Sequence, residues 1–236
     1  MLSRRLFCGC LAAATTTFTS EAVRAQGASC AIFTPDRQKA VTPNEALTRL
    51  VDGNRRFVAG STINCDLREQ VKGTAHGQAP FATVLGCIDS RVPPELVFDQ
   101  KVGDIFAARI AGNFADTDVP GSLEFATKVA GSKLIVVLGH TQCGAIKGAI
   151  DNVKLGNLTA MLTHFKPAVD AVTNIPGPRT SANHDLVDAV CERHARLTAE
   201  LLLARSPVLK ELVDGGQLRV VAALHNLDTG AVKLLT

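Results

Sequence analysis

The chain has 236 residues, 46% of them apolar, and sets 25 Lys and Arg against 22 Asp and Glu for a formal charge of +3. That supplies the core of one domain and excludes a disordered chain, while the small basic excess and the lack of Tyr and Trp exclude a nucleic-acid-binding face. Seven Cys are too few for a disulfide scaffold, so each thiol is read by its position.

In chain order, Arg4-Arg5 precedes a short apolar stretch, Leu6 to Phe18, and Val23-Arg24-Ala25 offers small residues for cleavage. This pattern reads as a twin-arginine export signal over residues 1–25, and it predicts a periplasmic protein whose single domain spans 26–236. The apolar stretch is interrupted by threonines and falls well short of the roughly 20 residues of a membrane span, so no stable membrane insertion is expected. Losing Arg4, Arg5, Arg24 and Glu21 takes the charge balance to 22 basic and 21 acidic side chains.

Thr42-Pro43-Asn44-Glu45 is a capping box with proline at the first helical position, and the apolar spacing that follows predicts a helix from Pro43 to Val58. Phe81 to Cys87, Asp104 to Ala111 and Lys133 to His140 are short continuous apolar runs, which suit strands buried on both faces of a parallel sheet. Helices are expected at Pro94–Phe98, Pro120–Val129, Cys143–Ile150, Asn157–Val172 and Ala182–Leu203. Leu218–Leu224 returns as a strand, with a last one at Ala231–Leu235 after the Asp228-Thr-Gly230 turn. The alternation predicts an α/β fold: a mostly parallel central sheet flanked by helices.

Two of these strands end alike, in Leu85-Gly86-Cys87 and Leu138-Gly139-His140, and ligands of open parallel sheets bind at the carboxyl ends of strands. Cys143 follows three residues after His140 at the start of a helical pattern, where a thiol is biased toward the thiolate. Two sulfurs and an imidazole point to zinc, and three protein ligands with a fourth position free are the pattern of a catalytic site. Asp89 and Arg91 alternate onto the same face as Cys87 in an extended segment, where the guanidinium keeps the carboxylate ionised and aimed. Taken singly, Cys87 reads as a small core residue and His140 as a satisfied buried histidine; the conjunction favours a metal site, with redox thiols the main competitor.

Cys87-Ile-Asp-Ser-Arg91 together with His140-Thr-Gln-Cys143 resembles the β-class carbonic anhydrases. The likeness extends through Gly103-Asp-Ile-Phe-Ala-Ala-Arg-Ile-Ala-Gly-Asn113 and Gly121-Ser-Leu-Glu-Phe125, and spans about residues 43–235. The resemblance implies an α/β dimer or higher oligomer, a tetramer included, with the site near the subunit interface. It implies one zinc per subunit on Cys87, His140 and Cys143, with Asp89 either a fourth ligand or paired to Arg91. It further implies reversible hydration of CO2 to bicarbonate, the metal supplying the attacking hydroxide, Asp89 and Arg91 orienting it, and Gln78, Phe106 and Phe125 touching substrate. Phe125 stands where many members carry tyrosine. His225-Asn-Leu-Asp-Thr-Gly230 replaces a family Tyr-Asp-Leu-x-Thr-Gly, a departure expected to bear on subunit contacts rather than on the zinc site.

Hydrolysis of carbonyl sulfide or carbon disulfide on the same scaffold is the alternative chemistry. A zinc-binding or thiol redox module without hydratase activity is the alternative from another class. Cys30, Cys65 and Cys191 are left between a Cys30–Cys65 bridge and buried reduced thiols.

Overall fold

The computed structural model describes residues 30–235, so the export-signal reading of residues 1–25 lies outside the described residues. Pro35–Ala40 (α1), Pro43–Val58 (α2) and Leu67–Thr74 (α3) precede the first strand, Ala82–Gly86 (β1). Pro94–Val97 (α4), Ile105–Arg109 (β2), Asp118–Glu124 (α5) and Leu134–His140 (β3) follow. The second half runs through Gly144–Ile150 (α6), Gly156–Met161 (α7), Lys166–Ala171 (α8), His184–Arg205 (α9), Pro207–Asp214 (α10), Arg219–His225 (β4) and Val232–Leu235 (β5).

The strands form one sheet in the order β2-β1-β3-β4-β5, parallel except for the last pair. β1 and β3 are buried at every position, as their unbroken apolar runs require of central strands covered on both sides. Leu134, Val136 and Leu138 face one way, toward Leu47 and Leu50 of α2 and Phe98. Ile135 and Val137 face the other way, toward Ala195 and Leu202 of α9 and Leu209 of α10. The result is the expected helix–sheet–helix sandwich, each of these large side chains contributing roughly 1.5–3 kcal/mol by burial. No helix among the described residues is long and apolar enough to cross a membrane.

Three local expectations are corrected. β2 is an edge strand, and its Ala107 and Arg109 are exposed, so one face is open rather than covered. The helix expected over Asn157–Val172 breaks into α7, a 3-10 turn at Leu162–Phe165, and α8, because Pro167 has no N–H to give an uninterrupted helix and its ring clashes with the preceding turn. The helix expected over Pro120–Val129 starts at Asp118 and ends in a π-helical turn, Phe125–Val129. Three short helices, α1, α3 and α10, carry N-caps at Thr34, Asp66 and Ser206, but are too short for a periodic apolar face to announce them.

Cys30 and Cys65 form a disulfide, which ties the segment ahead of α1 to the loop ahead of α3. Cross-linking residues 35 apart limits the unfolded chain, and its loss is expected to cost about 3–4 kcal/mol in the chain-entropy picture. Urea unfolding of Cys30→Ser beside the parent measures this, and an unchanged midpoint contradicts it.

Candidate metal centre

β1 hands the chain from Gly86 to Cys87, β3 ends on His140 and β2 on Arg109. Gly86 pairs with both Arg109 and Leu138, so the residues just beyond these strand ends are neighbours at one edge of the sheet. Cys143 reaches the same place through a tight turn in which Gln142 takes a left-handed backbone, φ 56°. Asp188 of α9 pins that turn: its Oδ1 accepts from the Gln142 backbone N–H at 2.8 Å and from the side-chain amide at 2.9 Å. As a result the sulfurs of Cys87 and Cys143 and a ring nitrogen of His140, all three residues buried, lie within 4.8 Å of one another.

The tautomer of His140 follows from its surroundings. Nδ1 is 2.9 Å from the Thr141 carbonyl oxygen, which can only accept, so Nδ1 carries the hydrogen and Nε2 keeps a free lone pair. Nε2 is buried with no hydrogen-bond partner among the described residues. An orphaned acceptor of this kind costs about 1–3 kcal/mol unless something occupies it. One imidazole nitrogen converging with two thiol sulfurs fits zinc in a tetrahedral site with one position open to a small ligand.

Of the two sulfurs, Cys87 is the one held down toward the thiolate, first by the Cys143 thiol and then by the backbone N–H groups of Gly112 and Asp89, against burial. Gly112 N–H donates to Cys87 Sγ at 3.1 Å. Cys143 is pushed up by its neighbour Cys87 and by burial. Both sulfurs have a backbone donor: Gly112 N–H for Cys87, and for Cys143, at the start of its seven-residue helix, that of Ile146, which pulls toward the thiolate. A divalent cation between the two would draw both into the thiolate form.

Asp89 is paired to Arg91. Oδ1 accepts from the Arg91 backbone N–H at 3.0 Å and from Nε at 2.9 Å, and Oδ2 accepts from the guanidinium at 2.7 Å. These bonds hold the carboxyl well below the usual carboxylate range. Oδ2 also lies 3.9 Å from His140 Nε2, so the carboxylate borders the donor cluster without joining it. Closing onto a metal as a fourth ligand would require Arg91 to surrender its fork.

Several supporting groups escape a sequence reading. Arg109 donates from Nε to the Cys87 carbonyl at 2.8 Å and from its guanidinium to the Asp89 carbonyl at 2.7 Å, and so fixes the loop that carries both residues. The clue was an arginine at the end of a strand beside β1. Gly112 has φ +75°, and a Cβ there would meet Phe165 ring carbons at 2.5 Å. Gly112→Ala is therefore expected to cost about 2–4 kcal/mol, from left-handed strain plus overpacking. Urea unfolding checks the figure, and a cost under about 0.5 kcal/mol, as for an ordinary surface change, contradicts it.

His225 stands in register with His140 on the neighbouring strand and is buried, with both ring nitrogens unpartnered among the described residues. Burial first, then the nearby His140, pushes its imidazole pKa down. The departure from the family pattern thus falls beside the ligand histidine, so it does not stand clear of the metal site.

The three expected substrate residues do not join the cluster of their own chain. Gln78 is exposed, two residues before Pro80, whose carbonyl shares the Gln38 amide with that of Ala130 ahead of β3, at the opposite edge of the sheet. Phe106 pairs with Thr83, which places it four residues short of the Cys87 end, or about 13 Å along the strand. Phe125 packs edge-on against Phe106 with centroids 6.4 Å apart, and is 52% exposed next to Val129 at 71%. Cys191 is a buried free thiol, pushed up to about 12 by burial.

A family model described as carbonic anhydrase matches residues 82–232. "Carbonic anhydrase 2" of Mycobacterium tuberculosis is 38% identical over 193 residues, which cover 81% of this chain and 92% of the relative. Among solved structures, a Coccomyxa β-carbonic anhydrase in complex with acetazolamide superposes with a TM-score of 0.64 at 26% identity, covering 80% of this chain and 86% of that one. A tetrameric β-carbonic anhydrase of Sordaria macrospora shares the fold with a TM-score of 0.60 at 24% identity, covering 71% and 90%.

Proposed function

The chain belongs to the β-class carbonic anhydrase family, and on that premise we propose that it hydrates CO2 reversibly to bicarbonate and a proton, with one zinc per subunit. The observation that carries this reading is the convergence of Cys87, His140 and Cys143 with an orphaned His140 Nε2 at its centre. Zinc held there supplies Lewis acidity that makes hydroxide available near neutral pH, although two thiolates blunt its charge.

The protein's own groups make up for that blunting. Asp89 stays ionised because Arg91 engages both of its oxygens, so Oδ2 can only accept. From the rim of the cluster it would accept a hydrogen bond from the attacking oxygen and so leave that oxygen's lone pair facing the carbon of CO2. The Arg109 clamp on the Cys87 and Asp89 carbonyls keeps the ligand and the orienting carboxylate in fixed relation.

Self-association completes the substrate pocket. At the edge strand β2, half-buried Phe106 and the exposed Phe125 and Val129 form an apolar surface that suits a second copy of the chain. Gln78, Phe106 and Phe125, remote from their own Cys87, reach a metal site only across such an interface. A dimer is the smallest assembly that achieves this, and a tetramer is compatible with it. The periplasmic address follows from the sequence of residues 1–25, and the Cys30–Cys65 disulfide suits an oxidising compartment.

Stopped-flow assays with CO2, carbonyl sulfide and carbon disulfide test the assignment. Turnover of CO2 far above that of either sulfur substrate is expected, and the reverse order overturns it.

A further inference from the structure

Behind the metal cluster lies a hydrogen-bonded chain that reaches it from a helix far along the sequence. His194 sits on the buried face of α9, 82 residues beyond Gly112, with its Nε2 2.9 Å from the Gly112 carbonyl oxygen. A carbonyl only accepts, so Nε2 carries the hydrogen and donates it. The ring is held edge-on by Phe165 at 4.8 Å between centroids, and the Thr198 hydroxyl stands 3.4 Å from the same nitrogen. Burial pushes the imidazole pKa down to about 4, so near neutral pH the ring is uncharged.

Gly112 is the third residue of a turn closed by Asn113 N–H donating to the Ile110 carbonyl at 2.9 Å. The peptide after Gly112 is therefore fixed at both ends, its N–H by Ile110 and its oxygen by His194. The N–H of Gly112 itself is then directed at Cys87 Sγ. Glycine has the backbone freedom to swing away if that carbonyl is released.

We propose that His194 is a positioning residue for the metal centre: by holding the Gly112 carbonyl it aims the Gly112 N–H at Cys87 Sγ and so moderates the thiolate that donates to zinc. The inference rests on the metal reading above. An N–H···S bond withdraws electron density from the sulfur, so a Cys87 with this bond leaves more positive charge on the ion than a bare thiolate. This relieves the handicap of two sulfur ligands. Outer-shell partners of this kind typically govern activity or metal affinity by about 10–100-fold.

The test uses the full-length cobalt(II)-substituted and zinc proteins with three variants. His194→Leu removes the donor at similar volume. His194→Asn places its amide nitrogen near the Nδ1 position, short of Gly112. His194→Gln returns an N–H near the Nε2 position. In the Leu and Asn variants the thiolate-to-cobalt absorption band is expected to move to lower energy, the pH of half-maximal hydration to rise, and kcat to fall about 10–100-fold. The Gln variant is expected to recover all three. If the Leu variant does not fold, the Asn and Gln pair carries the comparison. A band and pH midpoint that stay put in the Leu and Asn variants overturn the inference, as does a shift that Gln fails to reverse. A parent protein that shows no thiolate-to-cobalt band overturns the metal reading and this inference with it, which separates the two failures.

Discussion

Asp89→Asn is expected to lower kcat for CO2 hydration by about 10²–10⁴-fold, while zinc stays at one per chain. Asparagine has nearly the shape of aspartate, so the backbone around Cys87 has no reason to move. What changes is the set of acceptors. The Arg91 fork uses one oxygen for Nε and the other for its terminal nitrogen, and an amide offers only one oxygen. Either the fork is half broken, or the NH2 group turns toward the cluster, where it donates a hydrogen instead of accepting one. Arg91→Ala is expected to reach a comparable loss by another route, since Asp89 then keeps only the backbone N–H of residue 91 on Oδ1 and nothing holds Oδ2 off the metal. Stopped-flow rates with zinc content measured on the same samples decide the matter. Near-parental hydration in both variants contradicts the role given to the pair.

Cys87→Ala and Cys143→Ala should be more severe still. Each removes a sulfur from a three-donor set, so zinc is expected to fall well below one per chain and hydration to drop to the buffer background. The fold should survive, because the clusters on both faces of the sheet are built from Leu50, Phe81, Leu134, Ile135, Leu202 and Leu209 without help from the thiols. Far-UV circular dichroism is therefore expected to match that of the parent. Loss of helical signal together with zinc would mean that the metal is structural, and full zinc content in either variant would mean that the ligand set is wrong.

What the chain disclosed in advance was whatever short segments encode by themselves. The capping box at Thr42 and Glu45 placed α2 to the residue. The unbroken apolar runs before Cys87 and His140 placed two adjacent central strands, and with them two of the three metal donors. The rest depended on contacts between distant segments. Arg109 acts on Cys87 from 22 residues away, Gly112 from 25, and Asp188 fixes Gln142 across 46. None of these pairs leaves a periodic signal, because each is created by which strand lies beside which.

The strand expected over Phe81 to Cys87 already implies that Gln78 and Cys87 stand at its opposite ends. Gln78 precedes Cys87 by few residues, yet a buried strand separates the two, so its expected role demands another subunit. Pro167 was visible in the sequence, and the continuous helix drawn through it gave too little weight to the hydrogen bond that it lacks. His225 is visible in the sequence as a departure from the family pattern, but only the register of β4 against β3 sets it beside His140.

The central claim is that one metal ion, held by Cys87, His140 and Cys143, accounts for CO2 hydration by this chain. Returning zinc stepwise to chelator-stripped protein while recording the initial stopped-flow rate tests it most directly. The account predicts a rate near background without metal, a linear rise with added zinc, and a break at one zinc per chain. Hydration that persists in the metal-free protein, or a break at any other ratio, would contradict it.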